Sequence, residues 1–386
     1  VIPIFEPGLD ILVKRNVEAG RLNFSTSLKD HVNNADAIFI AVGTPSAEDG
    51  KADLQYVYAV AEEIGENLNK YNVIVNKSTV PVGTGKEVEK IIQKKYKGDF
   101  DVVSCPEFLR EGSAIKDFTE ADRVVVGVRS DKAKKIMLDV FQNIKAEKFI
   151  TTVESSELIK YTSNAFLATK ISFINEIAHI CEKADANIEE VAYGVGLDKR
   201  IGPKFLKAGI GWGGSCFPKD VKALDQIAGS HGYDFKLLKS VIEVNQHQRK
   251  HFVNKLKNYF KDLKGKKFVA LGLAFKGNTD DIRESAAIDI ISRLVKEGAE
   301  IDVFDYQATA NAKQILGDSV IYYDDPYKAI KDNDALLLLT EWPEFKDLDY
   351  TKIKGLLNKP VIFDGRNHLD PEKIKETGFE YFSIGR

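Results

Sequence analysis

One thiol of this chain stands among residues that could make it reactive, in the eight residues from Gly213 to Asp220, GGSCFPKD. Thiolates attack carbonyl carbons, and Lys219 together with backbone N–H groups of a flexible glycine turn would stabilise the Cys216 anion. Asp220 would then act as a base or orient the site. The alternative is a buried cysteine in a loop ahead of a helix that starts near Pro218, because free cysteine packs well in cores. The charged neighbours favour the nucleophile, since apolar core loops seldom carry Lys and Asp.

Lys160 and Asn164 could serve the same chemistry from a predicted long helix. They lie one helical turn apart beside an apolar stripe, so an ammonium and an amide would point at one place. Such a pair suits the negative oxygen that develops when a nucleophile adds to a carbonyl. Taken alone, the pair fits slightly better a lysine that extends from the stripe into solvent beside an asparagine without a partner.

Two further pairs of polar residues share the spacing of one helical turn. Glu107 and Glu111 follow a predicted strand and fit either an acid–base and binding pair or the charged face of a helix. Spacing alone favours the helix face. His247 and His251 lack a third ligand, so we predict no metal site and expect both rings to be solvated.

A glycine-containing turn, Gly272–Gly277, stands between a predicted strand and a helix, where a phosphate-binding turn would lie. It lacks the middle glycine of G-x-G-x-x-G, because Ala274 occupies that position. Lys276 and Arg283 could hold diphosphate oxygens by charge. A plain strand–helix turn with solvated basic residues explains the pattern equally well.

Short β-branched runs alternate with charged helical segments in the first part of the chain and again from Lys267. That alternation predicts parallel sheets with helices on both faces. Between them, apolar residues at spacings of three and four predict a long helix from Glu154 to about Ala184, with further helices after it. We therefore predict an α/β fold with two Rossmann-like doubly wound domains, joined by a long central helix and a helical middle domain. The predicted boundaries are 1–150, 151–262 and 263–386.

Composition and net charge argue against some classes of partner and location. The 386 residues carry 55 basic and 58 acidic side chains, a net charge of −3, so we expect no nucleic-acid partner and no membrane partner. No apolar run approaches the roughly 20 residues of a membrane span, and no signal peptide is recognisable. A cytoplasmic protein is expected. Three widely separated cysteines fit neither a disulfide framework nor a zinc site.

Six motifs, in their order and spacing, resemble the UDP-glucose 6-dehydrogenase branch of the UDP-glucose/GDP-mannose dehydrogenase family. They are Ser78-Thr79-Val-Pro-Val-Gly83, Pro106-Glu107-Phe-Leu-Arg-Glu111-Gly112, Lys160-Tyr-Thr-Ser-Asn164, the Gly213–Asp220 stretch, Phe275-Lys276 and Asp364-Gly365-Arg366. The resemblance covers essentially the whole chain, and the cysteine motif is highly specific to nucleotide-sugar dehydrogenases. Phe217 and the run Tyr161–Asn164 favour UDP-glucose over GDP-mannose as the substrate.

The resemblance implies oxidation of the C6 alcohol of UDP-glucose to UDP-glucuronate, with two NAD+ reduced per turnover. Cys216 would add to the aldehyde to form a thiohemiacetal, and a second hydride transfer would give a thioester that water hydrolyses. Lys160 and Asn164 would hold the tetrahedral oxygen. Asp220 and Glu107 would handle the proton and the water.

The same resemblance implies contacts for cofactor, substrate and subunit. The residues expected on the nicotinamide side of NAD are Thr44, Thr79, Glu111, Lys219 and Arg283, of which Thr79 also counts as catalytic. The residues expected to bind the nucleotide sugar are Glu107, Phe108, Leu109, Arg110, Glu111, Lys160, Asn164, Arg200, Phe205, Leu206, Lys207, Ala208, Gly209, Gly213, Phe275, Lys276 and Arg366. Arg200 resembles a residue that reaches into the neighbouring subunit's site. A homodimer built on the long helix is expected.

The sequence differs from the family pattern at its N-terminal end. There a strand, a G-x-G-x-x-G turn, a helix and a second strand ending in an acidic residue precede the segment that resembles Val1–Gly8, and this sequence has none of them. We therefore expect the sequence to begin inside a domain, without the main anchors for the pyrophosphate and ribose of NAD. Two alternatives stay open: a GDP-mannose 6-dehydrogenase, and a nucleotide-sugar-binding protein without dehydrogenase activity.

Overall fold

The structure, a computed structural model, describes Ile2, residues 4–45, Ala47 and residues 50–386. Val1, on which the expectation of an internal start rests, lies outside the described residues. The chain forms two compact units: the first contains Val1–Ala165 and Lys219–Phe235, and the second contains Phe166–Pro218 and Lys236–Arg386. The three-domain division stays a prediction, since compact units defined by contacts need not coincide with segments that fold independently.

The elements follow one another in an alternating α/β order with a helical middle. The segments up to the end of the long helix are α1 Leu9–Glu18, β1 Ala37–Ile40, α2 Gln55–Asn67, β2 Val73–Asn76, α3 Thr84–Lys95, β3 Asp101–Ser104, α4 Ala114–Thr119, β4 Arg123–Gly127, α5 Asp131–Val140, β5 Glu147–Thr151 and α6 Val153–Ala184. The remaining segments are α7 Ile188–Gly196, α8 Phe217–Ser230, α9 Lys236–Phe260, β6 Lys267–Leu271, α10 Ala286–Lys296, β7 Glu300–Phe304, α11 Thr309–Leu316, β8 Ile321–Tyr322, α12 Pro326–Ile330, β9 Ala335–Leu338, α13 Tyr350–Leu356, β10 Val361–Asp364, α14 Pro371–Glu376 and β11 Glu380–Phe382.

The first unit is built on a five-stranded sheet in the order β1-β2-β3-β4-β5. Neighbouring strands pair in parallel except β3 and β4, which meet antiparallel at Ser104 and Gly127. The expectation of a fully parallel sheet is wrong at this pair. Because β4 starts at the edge where β3 ends, no helix has to carry the chain back across the sheet between them.

Side chains that alternate along β2 fill a core on each face of this sheet. Ile74 packs into one core, and Val73 and Val75 pack into the other. Since both faces are covered, the strand reads as a continuous apolar run, which is typical of a buried strand in an α/β sheet.

The second unit contains a six-stranded, fully parallel sheet in the order β11-β10-β9-β6-β7-β8. Numbered from β6, this is the strand order of a doubly wound Rossmann fold, in which strands are added on one side of β6 up to β8 and then on its other side from β9. The predicted α/β class is confirmed. Ligands of such sheets bind at the carboxyl ends of the strands, so the loops after β6, β9 and β10 are the ones to inspect.

The predicted long helix is confirmed as α6, whose 32 residues extend over about 48 Å. Residues of α6 belong to both units, since the boundary falls after Ala165. None of the helices within the described residues is long and apolar enough to cross a membrane.

Candidate active site

Cys216 lies immediately before the first residue of α8 and is half-buried. Its Sγ is 3.5 Å from the Oγ of Ser215. The other two thiols, Cys105 and Cys181, are buried in apolar cores, as expected for structural cysteines. The alternative of a buried core cysteine is therefore wrong for Cys216, because this residue is only partly buried.

The glycines before Cys216 are required by close packing. A Cβ on Gly213 would collide with the backbone oxygen of Glu284, and a Cβ on Gly214 would lie 2.7 Å from the Phe275 ring. Gly214 also has a positive φ of 86°, and its N–H donates to the Arg283 oxygen at 2.8 Å. The expected flexible glycine turn is thus a tightly held one, in which only glycine fits.

Lys160 presents a buried ammonium to a carboxylate. The side chain on α6 is 3% exposed, and its Nζ lies 3.2 Å from the Oε1 of Glu107. The ring centre of Phe108, which is on the same loop as Glu107, lies 5.3 Å from Nζ. A lysine extending into solvent is excluded by this burial. Glu107 and Glu111 lie in a loop, because α4 begins only at Ala114, so the interpretation as a helix face is wrong.

Asn164 and Asp220 form a second buried polar contact in the first unit. The Nδ2 of Asn164 donates to Asp220 Oδ2 at 2.6 Å, and Lys219 Nζ lies 2.7 Å from Oδ1 of the same carboxylate. Asp220 is 1% exposed. The asparagine therefore has a specific partner, and its amide orientation is determined by a fixed acceptor.

Glu157 is a functional candidate that sequence reasoning missed. It is buried on α6 and accepts hydrogen bonds from the backbone N–H groups of Gly83 and Gly85, both at 2.7 Å. These groups belong to the turn after β2 and the first turn of α3. The available signal was the helical face shared by Glu157, Lys160 and Asn164 at spacings of three and four.

Burial raises the pKa of Glu157 to about 7, against the opposing effect of the two N–H donors. A folded-state pKa above the unfolded value of 4.5 means that the folded state binds more protons, so stability falls as pH rises from about 4.5 to 7. The shift corresponds to about 3 kcal/mol. We expect Glu157→Gln, which resembles the protonated acid, to gain stability relative to the unmutated protein as the pH rises.

Thermal unfolding of both proteins between pH 5 and 8 measures this effect of Glu157. The exposed Glu62→Gln on α2 is the matched control and should track the unmutated protein at every pH. A constant difference in Tm between Glu157→Gln and the unmutated protein across this range would contradict the prediction.

Threonines stand at the carboxyl ends of β1 and β2. The buried Thr44 donates its hydroxyl to the Thr79 backbone oxygen at 3.0 Å, which joins the two loops. Within the described residues, no hydrogen bond engages the half-buried Thr79 hydroxyl. Glu111 is half-buried in the loop after β3. These residues of the first unit suit the polar edge of a nucleotide at the carboxyl end of a parallel sheet.

Several predicted contact residues carry ion pairs at the surface. Arg110 Nη2 lies 2.6 Å from Asp117 Oδ1, and Arg200 Nη2 lies 2.6 Å from Asp198 Oδ2. Arg283 belongs to the second unit, where Asp281 holds its largely exposed guanidinium. Their roles with ligand stay predictions. Exposed pairs of this kind are weak, so a ligand anion could replace the carboxylate at little cost.

The loop Phe205–Gly209 in the second unit carries a strained backbone. Phe205 has a φ of 65°, a left-handed conformation that bulky residues seldom adopt. Leu206, Ala208 and Gly209 are buried, and Lys207 is exposed. Strain of this kind persists where the surroundings fix the backbone, and it concentrates at binding sites.

Arg366 holds three loops of the second unit together. Its guanidinium donates to the backbone oxygens of Leu339 at 2.8 Å, Gly211 at 3.1 Å and Phe275 at 2.9 Å. Glu341 Oε2 lies 3.2 Å from its Nε. A contact with substrate charge stays a prediction for Arg366, whereas its link between the loops after β6, β9 and β10 is observed.

The turn Gly272–Gly277 does not have free N–H groups for a phosphate at its start. The N–H groups of Leu273 and Ala274 donate to Asp305 Oδ2 at 2.7 and 3.1 Å. Trp342 Nε1 donates to the same oxygen at 3.2 Å. Because Asp305 occupies these two donors, they are not available to a phosphate, and a role of Lys276 and Arg283 with diphosphate stays a prediction. Lys276, half-buried, lies with Nζ 5.5 Å from the Phe275 ring centre.

The pair of histidines on α9 behaves differently from the expectation of two solvated rings. His247 is exposed, but His251 is half-buried, with Nε2 2.8 Å from Glu182 Oε2. Its ring packs 4.1 Å from that of His179 on α6. The expectation is wrong for His251, because the packing of α6 against α9 in the second unit covers this face.

Three family profiles match successive parts of the chain. Residues 1–145 match the NAD binding domain of the UDP-glucose/GDP-mannose dehydrogenase family. Residues 154–247 match the central domain of that family, and residues 269–371 match its UDP binding domain.

Curated proteins with similar sequences include UDP-glucose 6-dehydrogenases. That of Bacillus subtilis (strain 168) is 55% identical over 388 residues, covering 100% of this chain and 84% of the relative. That of Rhizobium meliloti (strain 1021) is 48% identical over 393 residues, covering 100% of this chain and 90% of the relative. Among solved structures, a UDP-glucose dehydrogenase from the hyperthermophilic archaeon Pyrobaculum islandicum has a TM-score of 0.92 at 39% identity, covering 98% of this chain and 87% of that one.

Proposed function

Because this chain belongs to the UDP-glucose/GDP-mannose dehydrogenase family, we propose that it oxidises the C6 alcohol of UDP-glucose to the carboxylate of UDP-glucuronate. It is an oxidoreductase of the UDP-glucose 6-dehydrogenase class, and NAD is its cofactor. The choice of UDP-glucose is supported by the solved structures, of which a UDP-glucose dehydrogenase is 39% identical to this chain and a GDP-mannose dehydrogenase 29%.

The observation that carries the proposal is the buried ammonium of Lys160. Lysine side chains are seldom buried unless they are paired, and a 3% exposed lysine that lies 3.2 Å from a carboxylate is a candidate for a functional group. Asn164 lies one helical turn further along α6 and provides an amide donor from the same face. Together they would stabilise an oxyanion on the carbon that Cys216 attacks.

The covalent route begins with oxidation of the C6 alcohol to the aldehyde, in which C6 gives up a hydride and its hydroxyl group gives up a proton. Bound NAD+ supplies the two-electron acceptor for each oxidation, so one product requires two NAD+. The Cys216 thiolate forms a bond to C6 of the aldehyde, whose oxygen becomes the oxyanion of a thiohemiacetal. Loss of hydride from C6 leaves a thioester. Addition of water then breaks the carbon–sulfur bond, which releases the carboxylate and one proton and restores the thiol.

Glu107 and Asp220 differ in exposure, and we assign them different roles on that basis. Glu107 has a side chain that is 29% exposed and can reach water, so we assign to it the activation of the hydrolytic water. Asp220, at 1% exposure, is engaged by Asn164 and Lys219, so it orients the amide donor. Thr44 and Thr79 would hold the nicotinamide side of the cofactor, since the hydroxyl of Thr79 lacks a partner within the described residues.

The nucleotide end of the substrate is assigned to the second unit. The strained loop at Phe205, the Phe275-Lys276 pair and Arg366 lie in one unit, and Arg366 already links the loops of Gly211 and Phe275. Lys276 would supply charge to the diphosphate. The first N–H groups of the Gly272 turn would not take part, because Asp305 occupies them.

The activity is tested by incubating the chain with UDP-glucose and NAD+ and measuring NADH absorbance together with UDP-glucuronate. We expect two NADH for each UDP-glucuronate and no comparable rate with GDP-mannose. Activity confined to GDP-mannose would overturn the choice of substrate. A flat absorbance trace, with a Tm that still rises on addition of UDP-glucose, would replace the enzyme with a nucleotide-sugar-binding protein.

The helix α6 also supports a proposal for the assembly, a homodimer. Phe166, Phe173 and Ile180 follow one another at intervals of seven residues and are each more than half exposed. Seven residues are close to two helical turns, so the three side chains form one apolar stripe on the second unit. Exposed stripes of large apolar side chains are typical of association surfaces. A second copy of the helix would cover the stripe on both chains at once.

Charge introduced into this stripe is expected to separate the subunits. We predict that Phe173→Glu weakens dimerisation by about 100-fold, because a carboxylate would be buried without a partner. Analytical ultracentrifugation over a dilution series measures the change. Ile315→Glu on α11 replaces an equally exposed apolar side chain and should leave the assembly unchanged. Unmutated protein that sediments as a monomer at micromolar concentration would contradict the dimer.

A further inference from the structure

Four buried polar side chains converge on the short loop that leads to Cys216. They are Ser172 and Asn175 on α6 and Asn245 and Gln248 on α9. All four belong to the second unit, as does the loop they contact, residues 209–212. Burying four polar side chains is costly unless each is used, and here each makes a hydrogen bond to or beside this loop.

Asn245 makes the most complete of these contacts. Its Oδ1 accepts from the Trp212 N–H at 2.8 Å, and its Nδ2 donates to the Trp212 oxygen at 2.9 Å. The side-chain amide thus pairs with both polar groups of one residue, as a neighbouring strand would. A Cβ on Gly211 would lie 2.6 Å from Asn245 Oδ1, so only glycine lets the loop approach this closely.

The other three side chains hold the loop on either side of that contact. Gly209 donates its N–H to Asn175 Oδ1 at 2.9 Å, and its oxygen accepts from Gln248 Nε2 at 2.8 Å. The indole Nε1 of Trp212 donates to Ser172 Oγ at 3.0 Å. These four side chains therefore contact the loop at two residues of its backbone, Gly209 and Trp212, and at the Trp212 ring.

The position of Trp212 determines that of Cys216, because close packing fixes the backbone between them. Gly213 and Gly214 are packed so closely against Glu284 and Phe275 that neither could carry a Cβ. The Trp212 ring also meets the Phe217 ring edge to face, with centres 6.4 Å apart. The chain before the thiol and the residue after it are thus both positioned relative to Trp212.

We propose that Asn245 is a positioning residue that fixes the sulfur of Cys216 through Trp212, and that it acts without touching the substrate. The proposal rests on the proposed role of Cys216 as nucleophile. For this role the sulfur of Cys216 must be held where it can attack a carbonyl carbon. Misplacement of a reacting atom by about 1 Å can lower the rate about 10²-fold.

The test is Asn245→Ala, measured by steady-state kinetics and by the rate at which iodoacetamide alkylates Cys216 in the absence of substrate. We expect kcat to fall about 10²-fold with KM for UDP-glucose changed by less than about 3-fold. The alkylation rate should change at least several-fold, read by mass spectrometry of the Cys216 peptide. Cys105 and Cys181 are buried and do not compete for the reagent.

Asn333→Ala is the matched control. Asn333 is an equally buried amide in the second unit, with hydrogen bonds to Asp302 and the Ala329 oxygen. It should lower Tm by a similar amount and leave kcat and Cys216 alkylation unchanged. Ser172→Ala removes the indole acceptor and the hydroxyl that donates to the Val241 oxygen, but leaves the Trp212 backbone contacts in place. It should cause a smaller loss in the same direction and serves if Asn245→Ala does not fold.

Three outcomes would overturn the proposal: an unchanged kcat in Asn245→Ala, a loss carried by KM alone, or equal effects from Asn333→Ala. Because alkylation needs no turnover, it reports on the position of Cys216 even if the proposed reaction is wrong. If Cys216→Ser retains turnover, the proposed covalent function is wrong. If Asn245→Ala nevertheless changes the alkylation rate of Cys216, the effect of Asn245 on the position of the thiol still holds.

Discussion

Cys216→Ser is expected to abolish steady-state formation of UDP-glucuronate, with kcat reduced by about 10³-fold or more. The serine hydroxyl is far less acidic than the thiol and has no base within the first turn of α8 that is free to activate it, because Asp220 is engaged by Asn164 and Lys219. The measurement is initial NADH release together with UDP-glucuronate at saturating UDP-glucose and NAD+. Tm and the shift of Tm by UDP-glucose should stay unchanged, since the substitution replaces one atom at a half-buried position.

The control for Cys216 is Cys181→Ala on α6, which removes a buried thiol and should leave kcat within about 2-fold while lowering Tm slightly. A mass spectrum of the unmutated enzyme quenched during turnover should show a sugar-nucleotide adduct on the Cys216 peptide. Turnover by Cys216→Ser at the rate of the unmutated enzyme would rule out the covalent route.

Lys160→Met is expected to have the second largest effect, a fall in kcat of about 10² to 10³-fold with little change in KM. Methionine keeps the unbranched chain as far as Cε in a 3% exposed position and removes the ammonium group. The oxyanion of the thiohemiacetal would lose its cationic partner, whereas the ground-state alcohol carries no charge to lose. Glu107 is exposed enough for water to solvate its carboxylate when the ammonium is gone.

Lys95→Met is the matched control for Lys160, because Lys95 also pairs with a glutamate, at 2.7 Å from Glu66, but at the surface. It should leave kcat unchanged. Turnover of Lys160→Met within about 3-fold of the unmutated rate would show that the ammonium is not used in the transition state. A loss seen only in KM would instead assign Lys160 to substrate binding.

The local chemistry of the site was predictable from the sequence. Lys160 and Asn164 lie at a spacing that places them on one face of any helix, and apolar periodicity predicted that helix within one residue of its observed start at Val153. Cys216 was set apart from the other two thiols by its charged and glycine neighbours alone. The alternation of strands and helices predicted two α/β sheets, of which the second has the doubly wound strand order.

Contacts between distant segments were not predictable. The carboxylate of Glu157 meets N–H groups that lie 74 and 72 residues earlier in the chain, and nothing in its neighbourhood indicates that partner. Asp305 was visible only as the residue after a strand, yet it occupies the donors that would have made the Gly272 turn a phosphate site. The antiparallel pairing of β3 with β4 likewise departs from the alternation rule.

The sequence by itself determined which residues have reactive chemistry and which helix faces they share, because covalent geometry and the helical repeat set spacing along one element. Only the tertiary structure decided which of them are buried and what they touch: Lys160 against Glu107, Asn164 against Asp220, and Asn245 against Trp212. The physical reason is that a buried polar group must find a partner, and which backbone group is within reach depends on how segments far apart in the chain pack together.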